Sequence, residues 1–262
     1  MKYYLDTNAI YNLKNFSDDI LQETSISCLG VFELISGITN EKGFFKRRSI
    51  LNQVRTKNIN TIWELPKDLI ERAFSLPTDY SDAKATQLMM NHIIDCENYE
   101  ALNNIKFLVD NKEYSIETFN TYDSRYSKEI TDLFNNSDVP KVDIPEKDKI
   151  MTTLHKEGSI IEIFISSIGK EYRRPSEKYF SVLQKYTDKR IIDKYIKFLA
   201  AYSIDNHQLG KTSGKNDGFD IGHIIYMNNI EYFISDDKIY HNYPSEYANI
   251  NVLSVNDLIQ KA

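Results

Sequence analysis

The stretch from Asn216 to Asp237, NDGFDIGHIIYMNNIEYFISDD, restricts the possible folds more than any other part of the chain. Two carboxylates, Asp217 and Asp220, stand three residues apart, and Ile221, Ile224, Ile225 and Met227 follow at helical spacing. After Asn228-Asn229, a short apolar run, Tyr232-Phe233-Ile234, leads into Ser235-Asp236-Asp237. The pattern predicts a helix, a turn, a strand and an acidic strand end. In a parallel α/β sheet, the carboxyl ends of strands share an edge with the starts of helices. Asp217, Asp220 and Asp237 would then face one place.

The N-terminal segments supply acids at the same kind of junction. Residues 2–5, Lys-Tyr-Tyr-Leu, read as a short buried strand ending at Asp6, with Thr7-Asn8 as turn or cap residues before a helix that starts at Ala9. Asp6 fits a site acid, and either Asp6 or Asn8 fits a helix cap. Residues 24–28 read as a second strand, and 29–38 as a helix with an apolar face of Leu29, Val31, Phe32, Ile35 and Ile38. Glu33, about one turn in, either reaches the same edge or complements the helix dipole. Carboxylates gathered in this way repel one another, so a packed fold would need a cation among them. Oxygen ligands with open positions suit Mg²⁺ or Mn²⁺ better than zinc, for which histidine-and-cysteine spacing is missing. Cys28 and Cys96 read as small core residues.

From about residue 41 to 210 the apolar spacing becomes almost wholly helical, with helices expected over 43–57, 66–75, 81–109, 117–135, 146–171 and 176–208. This region reads as an all-helical insertion or subdomain. It divides an α/β core made of residues 1–40 and 211–262. Residues 135–145 are the expected linker, 250–254 a last strand and 255–261 a closing helix. With 32 Lys and Arg against 38 Asp and Glu, the formal charge of −6 argues against a protein that coats nucleic acid. It leaves room for an enzyme with an acidic site and local basic residues. Lys211 and Lys215, leading into the acidic helix, are the best-placed phosphate contacts. Lys46-Arg47-Arg48 with Arg55 and Lys57, and Lys170 with Arg173-Arg174, are further basic clusters that a solvated helix face also explains. No apolar run approaches the roughly 20 residues of a membrane span. The N-terminus lacks a signal-peptide core, so a cytoplasmic protein is expected.

The motifs YYLDTNAI, ISCLGVFELISG, DGFDIGHIIYM and YFISDD, in that order, resemble the PIN domain over residues 1–39 and 212–257. The resemblance implies a central parallel sheet flanked by helices and a metal-dependent endonuclease, with RNA the expected substrate. It makes Asp6, Glu33, Asp220 and Asp237 the catalytic, metal-holding acids. Ser235 stands where the family usually has threonine, Asn8 matches a position that supports the first acid, and Asp217 takes a secondary site role. His223, one turn after Asp220, fits a phosphate or leaving-group contact, and it fits a hydrogen-bonded packing residue. The resemblance further implies a toxin or defence nuclease, for which an antitoxin would be a protein partner. The long interval between Glu33 and the acidic helix departs from the toxin type. A non-catalytic scaffold of the same fold is the alternative. A small-phosphate hydrolase with an aspartyl intermediate would carry a second Asp two residues after Asp6, where Asn8 stands.

Overall fold

The run Tyr3-Tyr4-Leu5 has no polar face, and such a strand is stable only when both faces are covered. It forms β1 (Tyr3–Leu5), fully buried, in a computed structural model that describes residues 1–122, 144–209 and 217–260. The other strands are β2 (Thr24–Ser27), β3 (Asn60–Ile62), β4 (Lys106–Val109), β5 (Lys112–Ser115), β6 (Tyr232–Ile234) and β7 (Asn251–Leu253). Five of them build one parallel sheet in the order β3-β2-β1-β6-β7. The register sets Tyr3 opposite Thr24 and Leu5 opposite Ile234. The ladder continues one step beyond β1, where the Asp6 amide donates to the Ile234 carbonyl at 3.2 Å. That bond fixes Asp6 beside the end of β6.

The connections carry α1 (Thr7–Ile10), α2 (Asp18–Gln22), α3 (Cys28–Ser36) and α4 (Glu41–Thr56). Beyond β3 come α5 (Pro66–Ala73), α6 (Ser81–Asp95), α7 (Tyr99–Asn103) and α8 (116–122). Next are α9 (Glu146–Ile168), α10 (Glu177–Lys189), α11 (Asp193–Leu209) and α12 (Asp217–His223). The chain closes with α13 (Tyr243–Tyr247) and α14 (Val255–Gln260). No helix among the described residues is long and apolar enough to cross a membrane.

Aromatic packing locks the sheet centre. The Tyr4 ring stacks on Phe233 at 5.6 Å and on Tyr226 at 5.6 Å, and Tyr240 meets Phe233 edge-on at 4.5 Å. Offset and edge contacts of this kind add to plain burial. Gly37, just past α3, has a packing reason. A Cβ there would lie 2.2 Å from the Arg47 guanidinium, which therefore rests on the bare backbone.

The expectation of an all-helical segment over 41–210 is corrected. Residues 60–62 leave it to become the edge strand β3, because their backbone completes the ladder of β2. The helix expected over 81–109 stops at Asp95, and residues 106–115 form the hairpin β4–β5. Asp110 and Asn111 turn it, both with positive φ (49° and 66°), which two-residue hairpin loops require. The single helix expected over 176–208 breaks at Arg190, which caps α10 in the left-handed region at φ 46°. The expected helix 117–135 is seen as α8 up to residue 122; its remainder, most of the linker at 135–145, and Lys211 and Lys215 lie outside the described residues.

Truncating Phe233 would leave a void between the rings of Tyr4 and Tyr240. Phe233→Ala is expected to lower unfolding stability by about 3–5 kcal/mol, read as a lower urea midpoint at unchanged slope.

Candidate functional site

The carboxyl edge of the sheet begins with a strand that turns sharply into a helix. Asp6 occupies that junction. Its Oδ1 accepts from the Ala9 amide at 2.7 Å and caps α1, while its Oδ2 accepts from the Ser235 hydroxyl. Capping and site position are thus one geometry. Ser235 is fully buried and its Oγ also accepts from the Asp237 amide at 3.0 Å. One hydroxyl therefore ties the acid after β1 to the backbone of the acid after β6. Asn8 reaches across the same gap, its amide donating to Asp237 Oδ2 at 3.4 Å.

Glu33 arrives from α3. Its Oε2 accepts from the Thr7 hydroxyl and lies 2.7 Å from His223 Nε2. Glycine at position 30 keeps α3 close enough for this, since a Cβ there would meet Ile10 Cδ1 at 3.0 Å and the His223 ring at 3.6 Å. His223 is buried, and its Nδ1 lies 2.7 Å from the Tyr4 hydroxyl, which donates to Ser27 Oγ at 2.6 Å. Both ring nitrogens thus have partners. Burial opposes a charge on this ring, but the Glu33 carboxylate beside it and Asp6 and Asp220 beyond outweigh burial, so the His223 pKa is raised. Both nitrogens are engaged, and 1% exposure leaves the ring no face for a phosphate. Of the two expectations for His223, this geometry fits the hydrogen-bonded packing residue: the imidazole holds Glu33.

The third and fourth acids complete the edge. Asp220 sits half-buried on α12, and no hydrogen bond to its carboxylate exists among the described residues. Burial, then the charges of Asp237 and Glu33, push its pKa up to about 8, against the opposing pull of His223. Tyr240 holds its backbone instead, donating to the Asp220 carbonyl at 2.6 Å. Asp217 lies at the rim and accepts from the Tyr202 hydroxyl. Asp236 is exposed and accepts from the Val255 amide at 3.0 Å. Burial raises Asp6 to about 6, despite the hydrogen bonds from Ser235 and Ala9.

Asp6, Glu33, Asp220 and Asp237 therefore share one electrostatic neighbourhood, as their order along the chain suggests. Among the described residues, none of them pairs with a lysine or arginine; His223 is the sole cationic partner, on Glu33. Hard oxygen donors with uncompensated charge fit a divalent cation in kind. Within the described residues no three such side chains stand close enough to grip one as they are. Both Asp6 oxygens and Glu33 Oε2 already hold protein donors, so a cation would draw the acids together around Asp220. Orienting donors of this sort commonly accompany metal ligands.

The first basic cluster of the insertion is used internally. Arg48 donates to the Ile94 carbonyl at 3.0 Å, Arg55 pairs with Asp95 at 2.9 Å, Lys57 pairs with Asp18 at 3.4 Å, and Lys46 sits over Tyr11 at 4.4 Å. Lys170, Arg173 and Arg174 are exposed. Residues missed from the sequence are Tyr4, Thr7, Ser27 and Tyr240. Of these only Thr7, next to Asp6, carried a local signal. No protein-family model matches the chain, and neither a curated protein nor a solved structure does.

The raised acids make a signed prediction. A carboxyl group whose folded pKa exceeds its unfolded value binds more protons in the native state, so stability falls as pH rises between the two values. Asp6 at about 6 and Asp220 at about 8 place that loss between roughly pH 4 and 8 in metal-free protein, with Asp68, also raised to about 6 by burial, adding to the lower limb. The raised His223 acts in the same direction. Urea unfolding in EDTA should show stability declining across this range, and Asp220→Asn should flatten the limb above about pH 6.

Proposed function

We propose that this chain is a divalent-cation-dependent endonuclease with RNA as its substrate. One observation carries the reading: four carboxylates from separate segments gather at the carboxyl edge of a parallel sheet, with no lysine or arginine paired to them among the described residues. The order of these acids resembles that of PIN domains, and the preference for RNA rests on that resemblance.

Asp6, Glu33, Asp220 and Asp237 would hold Mg²⁺ or Mn²⁺. Such an ion supplies acidification of water near neutral pH and offsets charge on a leaving oxygen. The chain's own contribution is placement. Ser235 aims Asp6, Thr7 and His223 fix Glu33, and Asn8 restrains Asp237. Asp220, without a hydrogen-bond donor to its carboxylate among the described residues, is the carboxylate most ready to exchange a proton for a cation. Lys211 and Lys215, immediately before α12 in sequence, are the proposed phosphate contacts. In-line attack on a phosphodiester would leave a 5′-phosphate and a 3′-hydroxyl.

A non-catalytic scaffold is the second reading. Its support is the engagement of Glu33 by Thr7 and His223, which resembles an internal structural pair more than a free ligand. The two readings separate in a cleavage assay on mixed RNA and DNA, with and without Mn²⁺. The nuclease reading predicts metal-dependent cleavage of RNA that Asp237→Asn abolishes. Ser235→Ala, which removes both the donor to Asp6 and the acceptor for the Asp237 amide, should cost about 10–100-fold in rate. Absence of cleavage of either nucleic acid by wild type would leave the scaffold.

A further inference from the structure

Arg47 is the member of the first basic cluster that the fold leaves without a partner. It forms no hydrogen bond or ion pair among the described residues, and its Nε is enclosed with no acceptor. An enclosed, charged donor of this kind is costly, and a planar fork of donors suits a carboxylate or phosphate arriving from outside. Nη1 and Nη2 escape the enclosure, so the two prongs of the fork reach solvent. Two glycines make room for them. A Cβ at Gly37 would lie 2.2 Å from Nη2, and one at Gly43 would lie 3.4 Å from Nη1. Gly37 has an ordinary φ of −77°, so its backbone does not ask for glycine. The guanidinium does.

Helix geometry places this fork relative to the acids. Gly37 closes the turn that begins at Glu33, its amide donating to the Glu33 carbonyl at 3.1 Å. Side chains four residues apart on a helix start about 5–6 Å from one another. Arg47 Nη2 therefore lies within about 8 Å of Glu33 Cβ. Lys46, the preceding residue, reaches α1 instead, over Tyr11 at 4.4 Å. Tyr11 stands three residues after Asn8, which donates to Asp237. The first half of α4 thus lies against both α1 and α3, one helical turn from residues that touch the acids. A cation at the end of α3 also complements its dipole. Yet Arg47 takes none of the last carbonyls of α3 as an acceptor among the described residues.

We propose that Arg47 grips a phosphate of the substrate strand, the neighbour of the phosphate that is cut; the proposal rests on the nuclease reading for its link to cleavage. Its separation from Glu33 is on the scale of the step between adjacent phosphates of a single strand. An arginine fork takes two phosphate oxygens at once through parallel N–H···O bonds. The acid edge by itself repels a polyanion, and a cation one turn away supplies the attraction that the acids lack. Contacts to phosphate position a strand and read no bases. The occupant is therefore a phosphodiester backbone of any sequence.

The test uses the full chain in two assays. Fluorescence anisotropy in EDTA follows binding of short labelled single-stranded RNAs across a salt series, and cleavage is measured separately with Mn²⁺. Each phosphate contact steepens the fall of log affinity with log salt by about 0.7 on a single strand. Arg47→Met keeps the aliphatic reach and removes the charge. It should weaken RNA binding about tenfold at low salt and flatten the slope by about 0.7, alike on different sequences. Gly37→Ala leaves Arg47 in the chain but puts a methyl group where its guanidinium rests. It should repeat both effects, and it carries the test if Arg47→Met does not fold. A purely structural Arg47 would move the unfolding midpoint and leave the salt slope as in wild type. A slope unchanged in both variants, with RNA cut by wild type, would overturn the phosphate contact and leave the nuclease standing. A flattened slope in the variants, with no cleavage by wild type, would uphold the contact and overturn the nuclease. Failure of wild type to bind RNA at low salt would overturn the contact outright.

Discussion

Like charges brought together at one rim of a sheet set the terms for everything around them. Asp6, Glu33, Asp220 and Asp237 repel, and the fold holds them by other means. The sheet centre supplies the force. Tyr4, Phe233 and Tyr240 pack rigidly, and the same residues reach the rim with hydroxyl groups or through the adjoining backbone. The apolar core and the acidic edge are therefore one construction. Tyr4 shows this most directly, since its ring belongs to the core and its hydroxyl contacts His223.

The buried row Ser27, Tyr4, His223, Glu33 extends that logic. A histidine charged inside the core needs a carboxylate to offset its desolvation, and Glu33 provides it. In return, Glu33 is held at a fixed height above α3 and beside Thr7. The row joins β1, β2, α3 and α12, so elements far apart in sequence are set relative to one another by hydrogen bonds as well as by packing. Ser235 does the same across β1 and β6. Both devices hold a carboxylate that would otherwise be driven outward by its neighbours.

Much of this was legible in the sequence, because strand-then-acid junctions are local. YYLD, the helix after the strand expected at 24–28, the DGFD opening and YFISDD each declare an element and its end within a few residues, and all four elements are present within two residues of the expected bounds. What was not legible depends on distant partners. β3 is three residues, Asn60-Thr61-Ile62, with no alternation, and only the free edge of β2 makes it a strand. Lys106 to Val109 continues the helical rhythm of α6, and the overriding signal was the turn pair Asp110-Asn111. His223 lies on the expected face, but the sequence could not say that Tyr4 and Glu33 would close both of its nitrogens.

The central claim is that the four acids await a divalent cation rather than one another's protons. Mn²⁺ titration followed by electron paramagnetic resonance tests it most directly, since bound Mn²⁺ loses the sharp signal of the free ion. Wild type should take up Mn²⁺ saturably, with binding abolished in both Asp6→Asn and Asp237→Asn although the two variants remain folded. An unchanged free-ion signal with wild type, or uptake that both variants retain, would contradict the account.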